Sequence, residues 1–214
     1  MVSRDPYAYG AKFYDRLIEP FLSSIRRKTM NLIAEQAHRR LSFRILEVAC
    51  GTGNQALHIA EAGLRPTVVD KSLPMLLQAA HKRRHLAEGD FFPARADATA
   101  LPFAERVFDA VVVQLGLHEM DGPVRAAAMG EIIRVAASGA CILAVDFLPS
   151  PGFTAANIAL TAVEFAAGPT HFKNGRAFLR DGGIEALLNG FGLKIEGTWK
   201  FFGGTIGLVS ARKP

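Results

Sequence analysis

Residues 45–60 read ILEVACGTGNQALHIA, and three local structures follow one another in this stretch. Its start belongs to FRILEVA, an apolar run typical of a strand that is buried on both faces of a parallel sheet. Gly51 and Gly53 lack a Cβ, so the chain can turn sharply and its backbone can approach a ligand closely. The following residues have helical spacing, and the first turn of a helix offers free amide donors. The stretch therefore predicts a ligand site between a first strand and its helix.

Apolar runs and helix-length segments alternate along the rest of the chain. RPTVVD, FPARADAT, FDAVVVQLGL and ACILAVDFL predict four further strands, with helices between them, one of which is closed by Gly139. KIEGTWKFF and GTIGLVSARK are joined by a short glycine turn, so they are expected to pair antiparallel. This order predicts an α/β fold. We expect a doubly wound, mostly parallel, seven-stranded Rossmann-like sheet with an antiparallel C-terminal strand and helices on both faces.

The length of 214 residues, half of them apolar, is ample for one core and short for two. We therefore expect a single domain over residues 1–214. An N-terminal helical lid is predicted at 1–44, and a helical insertion at 149–178 is predicted to cap the acceptor site with a helix at Ala155–Ala167. No apolar run approaches the ~20 residues of a membrane span. The polar start MVSRDPYAYG is not typical of a signal peptide, which predicts a cytoplasmic protein.

The excess of positive charge is concentrated near the N-terminus. Residues 1–44 hold nine Lys/Arg against four acidic residues, and the remainder is balanced. Such a basic helical segment suits a peripheral contact with anionic lipid, although a solvated helix face is the more common explanation. Nucleic acid is an unlikely partner, because the chain has neither an N-P-P-aromatic motif nor an appended RNA-binding segment. Cys50 and Cys141 have no CxxC spacing, so free thiols and no metal site are predicted.

Three acidic residues discriminate between possible ligands. Asp70 ends the second strand, where a carboxylate can accept hydrogen bonds from both ribose hydroxyls. GTGNQA also fits the dinucleotide fingerprint G-x-G-x-x-A, so an NAD(P)-dependent oxidoreductase is an alternative. Glu47, inside the first strand, would repel a pyrophosphate but suits a ligand that carries an ammonium and a sulfonium. Asp97, in ADATALPF, can accept from an adenine amine. Unlike Asp70, which suits either ligand, Glu47 and Asp97 thus favour a ligand with an ammonium, a sulfonium and an adenine over a dinucleotide.

Four motifs in order, LEVACGTG, VVDKSLPML, ADATALPF and FDAVVVQLGLHEM, carry a family resemblance. Over roughly residues 7–212 the chain resembles the class I S-adenosylmethionine-dependent methyltransferases, in particular the small single-domain group of ubiquinone/menaquinone-biosynthesis type. The resemblance implies methyl transfer from S-adenosylmethionine to a small-molecule acceptor. Ala49 stands where the family often has glycine. The cofactor-binding residues that the resemblance implies are Tyr14, Glu47, Ala49, Gly51, Gly53, Asp70, Lys71, Met75, Asp97, Ala98, Gln114 and Leu115.

The acceptor side is less defined. His118 and Tyr9 are the candidate catalytic residues, although a general base is needed only if the acceptor is protonated. The apolar insertion favours an apolar or aromatic acceptor, including quinone-like or phospholipid-like molecules. A protein that binds S-adenosylmethionine without catalysis is a further alternative, and a monomer or homodimer is expected. Other candidates for the acceptor wall are Asp146, His171, Phe172 and Arg180.

Overall fold

The computed structural model describes residues 11–38, 42–86, 90–150 and 154–214. Seven strands form one sheet in the order β3-β2-β1-β4-β5-β7-β6. Strands β1 to β5 run parallel, and β7 is antiparallel to both β5 and β6. The predicted fold class is confirmed. The strands are β1 Ile45–Val48, β2 Thr67–Asp70, β3 Phe92–Arg95, β4 Phe108–Gln114, β5 Ala136–Phe147, β6 Lys194–Phe201 and β7 Ile206–Arg212.

Helices connect the strands, and several begin with the caps that the sequence supplies. The hydroxyls of Ser72 and Thr154 and the carboxylate of Asp121 each accept a hydrogen bond from the amide three residues later. Within the described residues, none of the helices is long and apolar enough to cross a bilayer. The helices are α1 Ala11–Ala37, α2 Asn54–Glu61, α3 Leu73–Arg83, α4 Gly122–Val135, α5 Ala155–Ala166, α6 Pro169–Arg180 and α7 Gly183–Gly190, with a 3₁₀ turn at Phe202–Gly204.

The centre of the sheet forms the core and also locates the ligand crevice. β1, β4 and β5 are almost completely buried, and Val111, Ile142 and Leu143 have no exposed surface. β1 is paired with β2 on one side and with β4 on the other, so the chain order reverses at β1. Open α/β sheets bind ligands at the carboxyl ends of the strands beside such a reversal. The segments after β1, β2 and β4 are therefore brought together.

Helix α1 spans Ala11–Ala37, inside the segment 1–44 that was predicted to be helical. One helix boundary differs from the sequence-based prediction. Helix α4 ends at Val135 instead of continuing to Gly139, because Ala136 pairs with Phe108 of β4, and this tertiary pairing overrides the helix preference of alanine.

The insertion contains a second helix, α6, besides the predicted one. Gly168 and Pro169 look like the end of structure in the sequence, but proline is favoured in the first turn of a helix, and here it begins α6. The predicted helix Ala155–Ala167 is confirmed as α5 to within one residue.

Candidate cofactor and acceptor site

One cavity of about 460 Å³ opens at the carboxyl ends of β1, β2 and β4. This volume lies within the range of about 300–1,000 Å³ that small-molecule sites occupy. Nine of the twelve predicted cofactor-binding residues line it, while Glu47 and Gly53 do not and the side chain of Tyr14 lies outside the described residues. The nine are Ala49, Gly51, Asp70, Lys71, Met75, Asp97, Ala98, Gln114 and Leu115, and Ser72 joins them.

The two glycines of the turn have different structural roles. Gly51 has φ +54°, and a Cβ placed on it would meet nothing within 4 Å, so its backbone faces open space at the cavity. Gly53 has φ +77°, and a Cβ there would lie 2.9 Å from the Cβ of Ala79 in α3. Gly53 therefore permits close packing of α2 on α3, and it lies outside the cavity wall although it was predicted to line the ligand.

Ala49 adopts a conformation that an alanine rarely takes. Its φ is +56°, in the left-handed region where a Cβ crowds the backbone. Its Cβ points toward Gly116, since a Cβ built on Gly116 would come within 2.9 Å of it. Gly116 also lines the cavity. The methyl group of Ala49 therefore narrows the cavity at the point where the family often has glycine.

Glu47 is a buried acid in the middle of the central strand, opposite Val68 of β2 and Val112 of β4. Its residue is 2% exposed, and its Oε2 has no hydrogen-bond partner among the described residues. Burial is the main reason why the pKa of Glu47 is raised to about 8; the charge of Arg26 opposes the increase, and that of Asp70 adds to it. An orphaned buried carboxylate oxygen is costly, so the site fits a ligand that brings a cation or donor to it.

Asp70 and Asp97 extend the acidic character of the cavity toward its open side. Asp70 Oδ2 accepts from the Gly51 amide at 2.8 Å, and Oδ1 accepts from the Ser72 amide at 2.8 Å. These bonds fix the carboxylate at the end of β2.

Asp97 Oδ1 accepts from the amide and hydroxyl of Thr99, and Oδ2 pairs with Lys71 Nζ at 2.9 Å. The Lys71 and Thr99 contacts hold the pKa of Asp97 at about 2. Lys71 is 78% exposed, so an arriving ligand amine can displace it at little cost.

A polar network joins α1 to the cavity floor. Gln114 Nε2 donates to Gln55 Oε1 at 2.8 Å and to Thr29 Oγ1 at 3.3 Å. Arg26 Nη1 donates to Gln114 Oε1 at 3.4 Å, and Arg26 Nε lies 3.0 Å from Glu19 Oε2. The amide of Gln114 is thus held in one orientation, with its side chain forming part of the cavity wall.

The first half of α1 is fixed over the glycine turn by a second group of contacts. Asp15 Oδ1 accepts from Thr52 Oγ1 at 2.5 Å and from Asn54 Nδ2 at 2.9 Å. Lys82 Nζ reaches Asp15 Oδ2 at 2.5 Å. Sequence reasoning did not identify these α1 partners, because each lies more than thirty residues from its contact and no local pattern connects them.

His118 lies beside the cavity but is not among the residues that line it. It is 4% exposed, stacks on Phe147, and its Nδ1 lies 2.7 Å from Asp146 Oδ1. Because an ionised carboxylate can only accept hydrogen bonds, His118 Nδ1 carries the hydrogen, and Nε2 points away from Asp146. The pKa of His118 is raised above its ordinary value. Burial acts to lower it, but the negative charges of Asp146, Glu119 and Glu164 together have the larger effect.

The insertion brings two further groups to His118. Glu164 of α5 is 5% exposed, and its Oε1 lies 3.6 Å from His118 Nε2. His171 of α6 lies between two carboxylates, with Nε2 3.3 Å from Glu119 Oε1 and Nδ1 3.3 Å from Glu164 Oε2. Burial lowers the pKa of His171, but Glu119 and Glu164 raise it to about 10. Glu119 lines the cavity, so this cluster reaches it.

Other predicted site residues are not brought to the cavity. Phe172 contacts Phe165 ring to ring, and Arg180 is the last residue of α6. Tyr9 and the side chain of Tyr14 lie outside the described residues. Among the described residues of segments 1–44 and 149–178, none lines the cavity. That the first segment acts as a lid and the second as a cap therefore remains a prediction.

Part of the basic charge of α1 is used inside the fold. Arg26 is 7% exposed, and Lys28 lies over the Trp199 ring at 4.6 Å. Arg27 is exposed. Fewer basic side chains in this part of α1 can therefore reach a membrane surface than the sequence count indicates. The peripheral membrane contact stays a prediction.

Arg125 is a further residue that sequence reasoning missed. It is 4% exposed, its Nε donates to the carbonyl of Leu117 at 2.8 Å, and its Nη2 donates to that of Met120 at 2.7 Å. These bonds fix the loop after β4 that carries His118 and Glu119. An arginine on an amphipathic helix gives no local signal of such a role.

Comparisons with known proteins agree with this architecture. The model of a family described as a methyltransferase domain matches residues 45–139. The crystal structure of magnesium protoporphyrin IX methyltransferase from Synechocystis PCC 6803, with bound S-adenosylhomocysteine, has a TM-score of 0.69 at 16% identity and covers 99% of this chain and 98% of that one. At this identity the likeness shows the shared fold.

Curated relatives narrow the assignment. Demethylmenaquinone methyltransferase of Beutenbergia cavernae is 30% identical over 183 residues, covering 79% of this chain and 73% of the relative. The enzyme of the same name from Renibacterium salmoninarum is 39% identical over 104 residues, which cover 49% of this chain and 41% of the relative. The matches span about half the length of most such relatives. The chain belongs to the class I S-adenosylmethionine-dependent methyltransferases of ubiquinone/menaquinone-biosynthesis type. This membership favours S-adenosylmethionine over the dinucleotide alternative.

Proposed function

We propose that this protein transfers a methyl group from S-adenosylmethionine to a small apolar or aromatic acceptor of quinone-like chemistry. The observation that carries the proposal is the convergence of nine predicted cofactor-binding residues on one cavity at the strand reversal. These residues come from the ends of four strands, β1 to β4, and the segments that follow them. An arrangement of this kind is typical of a binding site for one extended ligand.

The chemistry of the cavity wall fits the cofactor from end to end. Glu47, with its orphaned Oε2, would hold the ammonium of the methionine portion. Gly51 leaves its backbone open toward the cavity, and the Asp70 carboxylate would accept from the ribose hydroxyls. Asp97 would accept from the adenine amine after Lys71 moves away. When bound, the cofactor supplies a methyl group already activated by a sulfonium.

The protein therefore has to position the acceptor and exclude water. An in-line approach to about 3 Å is the geometric requirement for such a transfer. Leu115, Met120 and Val124 give the cavity an apolar wall beyond the turn, as a flat apolar acceptor requires. His118 and Tyr9 remain the proposed catalytic residues. His118 lies one residue from the cavity wall and could take a proton only if the acceptor reaches its Nε2.

The class of acceptor is supported by two features. The relatives described above are named for demethylmenaquinone, a quinone. Helix α5 exposes Ile158, Val163 and Phe165 on its outer face, and an apolar face of this kind beside a site suits an acceptor with a hydrocarbon tail. Phospholipid-like acceptors share this property, so both belong in the first screen.

Two measurements test the proposal. The first is calorimetric titration of S-adenosylhomocysteine into the full chain, with NADH as a parallel titrant. We expect micromolar binding of S-adenosylhomocysteine and no NADH signal, with loss of binding in Asp70→Ala. Because Asp70 also caps two amides, Asp70→Asn and a melting curve separate lost recognition from lost folding.

The second measurement is mass spectrometry of acceptors incubated with the protein and S-adenosylmethionine. A chemically reduced short-chain naphthoquinone, a phenol and a phospholipid are the three acceptors. A methylated product with any of them supports methyl transfer, and the product identifies the acceptor class. Binding of S-adenosylhomocysteine with no methylated product would favour a cofactor-binding protein without catalysis. Binding of NADH alone would overturn the proposal.

A further inference from the structure

A cluster of two histidines and three carboxylates at the acceptor end of the cavity has no role in cofactor binding. One ligand atom from each of His118, Glu119 and His171 lies within 4.8 Å of the other two. Glu164 and Asp146 contact the same two imidazoles. We propose that His118, His171 and Glu119 bind a divalent first-row transition metal ion such as zinc, and that Asp146 and Glu164 orient the two imidazoles.

The first argument is the tautomer that the outer carboxylates impose. Asp146 Oδ1 lies 2.7 Å from His118 Nδ1, and Glu164 Oε2 lies 3.3 Å from His171 Nδ1. Each imidazole thus has a carboxylate near Nδ1, so Nε2 is the nitrogen that would bind a metal, in place of its present contact with Glu164 Oε1 at 3.6 Å for His118 and with Glu119 Oε1 at 3.3 Å for His171. A carboxylate on the second nitrogen of a metal-binding histidine is the usual arrangement, because it orients the ring and raises its basicity.

The second argument is the spacing of the inner atoms. Ligand atoms at about 2.0–2.1 Å from a tetrahedral zinc ion are about 3.3 Å apart. His171 Nε2 lies 3.3 Å from Glu119 Oε1, which matches this edge. The two rings meet edge to face with centroids 5.1 Å apart, and one ligand atom of each of the three residues lies within 4.8 Å of the other two. Two imidazoles and one carboxylate form a donor set suited to zinc and its neighbours.

The third argument is the unsatisfied polar surface buried in this cluster. Glu164 Oε2 and His171 Nδ1 have no well-aligned hydrogen-bond partner among the described residues, although Glu164 is only 5% exposed. The fold also makes room for that carboxylate, since a Cβ on Gly175 would lie 2.3 Å from Glu164 Oε2. A metal at His171 Nε2 would keep the hydrogen on Nδ1, which faces Glu164 Oε2 at 3.3 Å.

The position of the cluster indicates what such an ion would do. Three protein ligands leave a coordination position open, and Glu119 belongs to the cavity wall. An oxygen of the acceptor could occupy that position, which would orient the acceptor and lower the pKa of its hydroxyl. This role in acceptor binding rests on the proposed methyl transfer, whereas the metal site itself does not.

The test is zinc binding by the untagged full chain after treatment with a chelator. Competition with a chromophoric chelator should give one zinc per chain with sub-micromolar affinity, and Co²⁺ should give the visible absorption of a four- or five-coordinate N/O site. Glu119→Gln and His171→Gln should each weaken zinc binding by more than about tenfold relative to the unmodified protein. Asp146→Asn should weaken it by about 10–100-fold. Melting curves verify that each variant is folded.

His81→Gln is the matched control, because exposed His81 and His85 form the other close histidine pair among the described residues and could hold zinc on the surface. Its affinity should stay within about twofold of the unmodified protein. Absence of stoichiometric binding would overturn the proposal and leave His171 as an imidazolium paired with Glu119 and Glu164. Binding lost in His81→Gln, or unchanged in folded Glu119→Gln, would also overturn it.

Calorimetry separates this inference from the proposed function. S-adenosylhomocysteine should bind both the zinc-loaded and the chelator-treated protein, because none of the three proposed zinc ligands is among its predicted contacts. Binding of S-adenosylhomocysteine without zinc binding refutes only the metal site. Zinc binding without S-adenosylhomocysteine binding refutes only the proposed function.

Discussion

Binding of the cofactor product should release a proton from Glu47. The carboxyl is buried on the central strand, and its pKa is raised to about 8, mainly by burial. At pH 7 a group with this pKa is about 90% protonated. If the ligand ammonium pairs with the ionised carboxylate, binding S-adenosylhomocysteine at pH 7 must release about 0.9 proton. Glu47→Gln retains the size of the side chain and removes the ionisation, so its release should be about 0.9 proton smaller.

The same linkage predicts a pH-dependent affinity. The ionised fraction of Glu47 rises from about 1% at pH 6 to about 50% at pH 8, so the affinity should rise about fifty-fold between these pH values. Glu47→Gln should lack this increase. Because the same ligand amine is present in both titrations, its own ionisation cancels in the comparison between the two proteins.

The assay is calorimetric titration at pH 7 in buffers that differ in ionisation enthalpy. The slope of the observed enthalpy against the buffer enthalpy gives the number of protons released. Equal slopes for the unmodified protein and Glu47→Gln would refute the reasoning, because Glu47 would then remain neutral with the ligand bound. Glu47 would in that case be a hydrogen-bond donor or a purely structural acid.

Other predictions follow from the same residues. Since the pKa of Glu47 rises from about 4.5 unfolded to about 8 folded, the folded chain keeps a proton that the unfolded chain loses in this window. The free energy of unfolding should thus fall from pH 5 to pH 8, by at most about 1.4 kcal/mol per pH unit, and urea titrations of Glu47→Gln should lack this fall. Gly116→Ala should destabilise the protein by about 1–3 kcal/mol through its clash with Ala49, and Ala49→Gly should rescue it; additive effects in thermal unfolding would exclude this contact. Gly175→Ala should displace the Glu164 carboxylate and weaken zinc binding about tenfold in the chelator competition, and unchanged binding would show that Glu164 does not orient His171.

The sheet could be predicted because its information is local. The apolar runs of β1, β4 and β5 have no polar alternation, and this pattern is typical of parallel strands covered on both faces. The short glycine turn before β7 predicted the antiparallel pair that the structure contains. Helix α6 was missed because Gly168 and Pro169 look like a terminus, and only the packing of α6 on α5 distinguishes a new helix from a loop.

The cofactor end of the site was predictable for the same local reason. Asp70 and Gly51 each stand at or just after the end of a strand, and in a parallel sheet those ends must meet at one edge. The sequence position of such a residue therefore determines its place in the cavity. Gly53 shows the limit of this reasoning, since its missing Cβ serves contact with Ala79, a residue 26 positions away.

The acceptor end follows a different principle. His118 comes from the loop after β4, while Glu164 and His171 come from an insertion whose orientation depends on how α5 and α6 pack. No periodicity links residues 118, 164 and 171, so the sequence indicated His118 and His171 as separate candidates and gave no sign that Glu164 lies between them. Scaffold and insertion meet only through tertiary contacts, and the same scaffold can acquire a new acceptor site when the insertion changes. Under the proposed function, the residues that would select the acceptor are the ones that sequence patterns are least able to identify, and the histidine–carboxylate cluster is the place where experiments on specificity should begin.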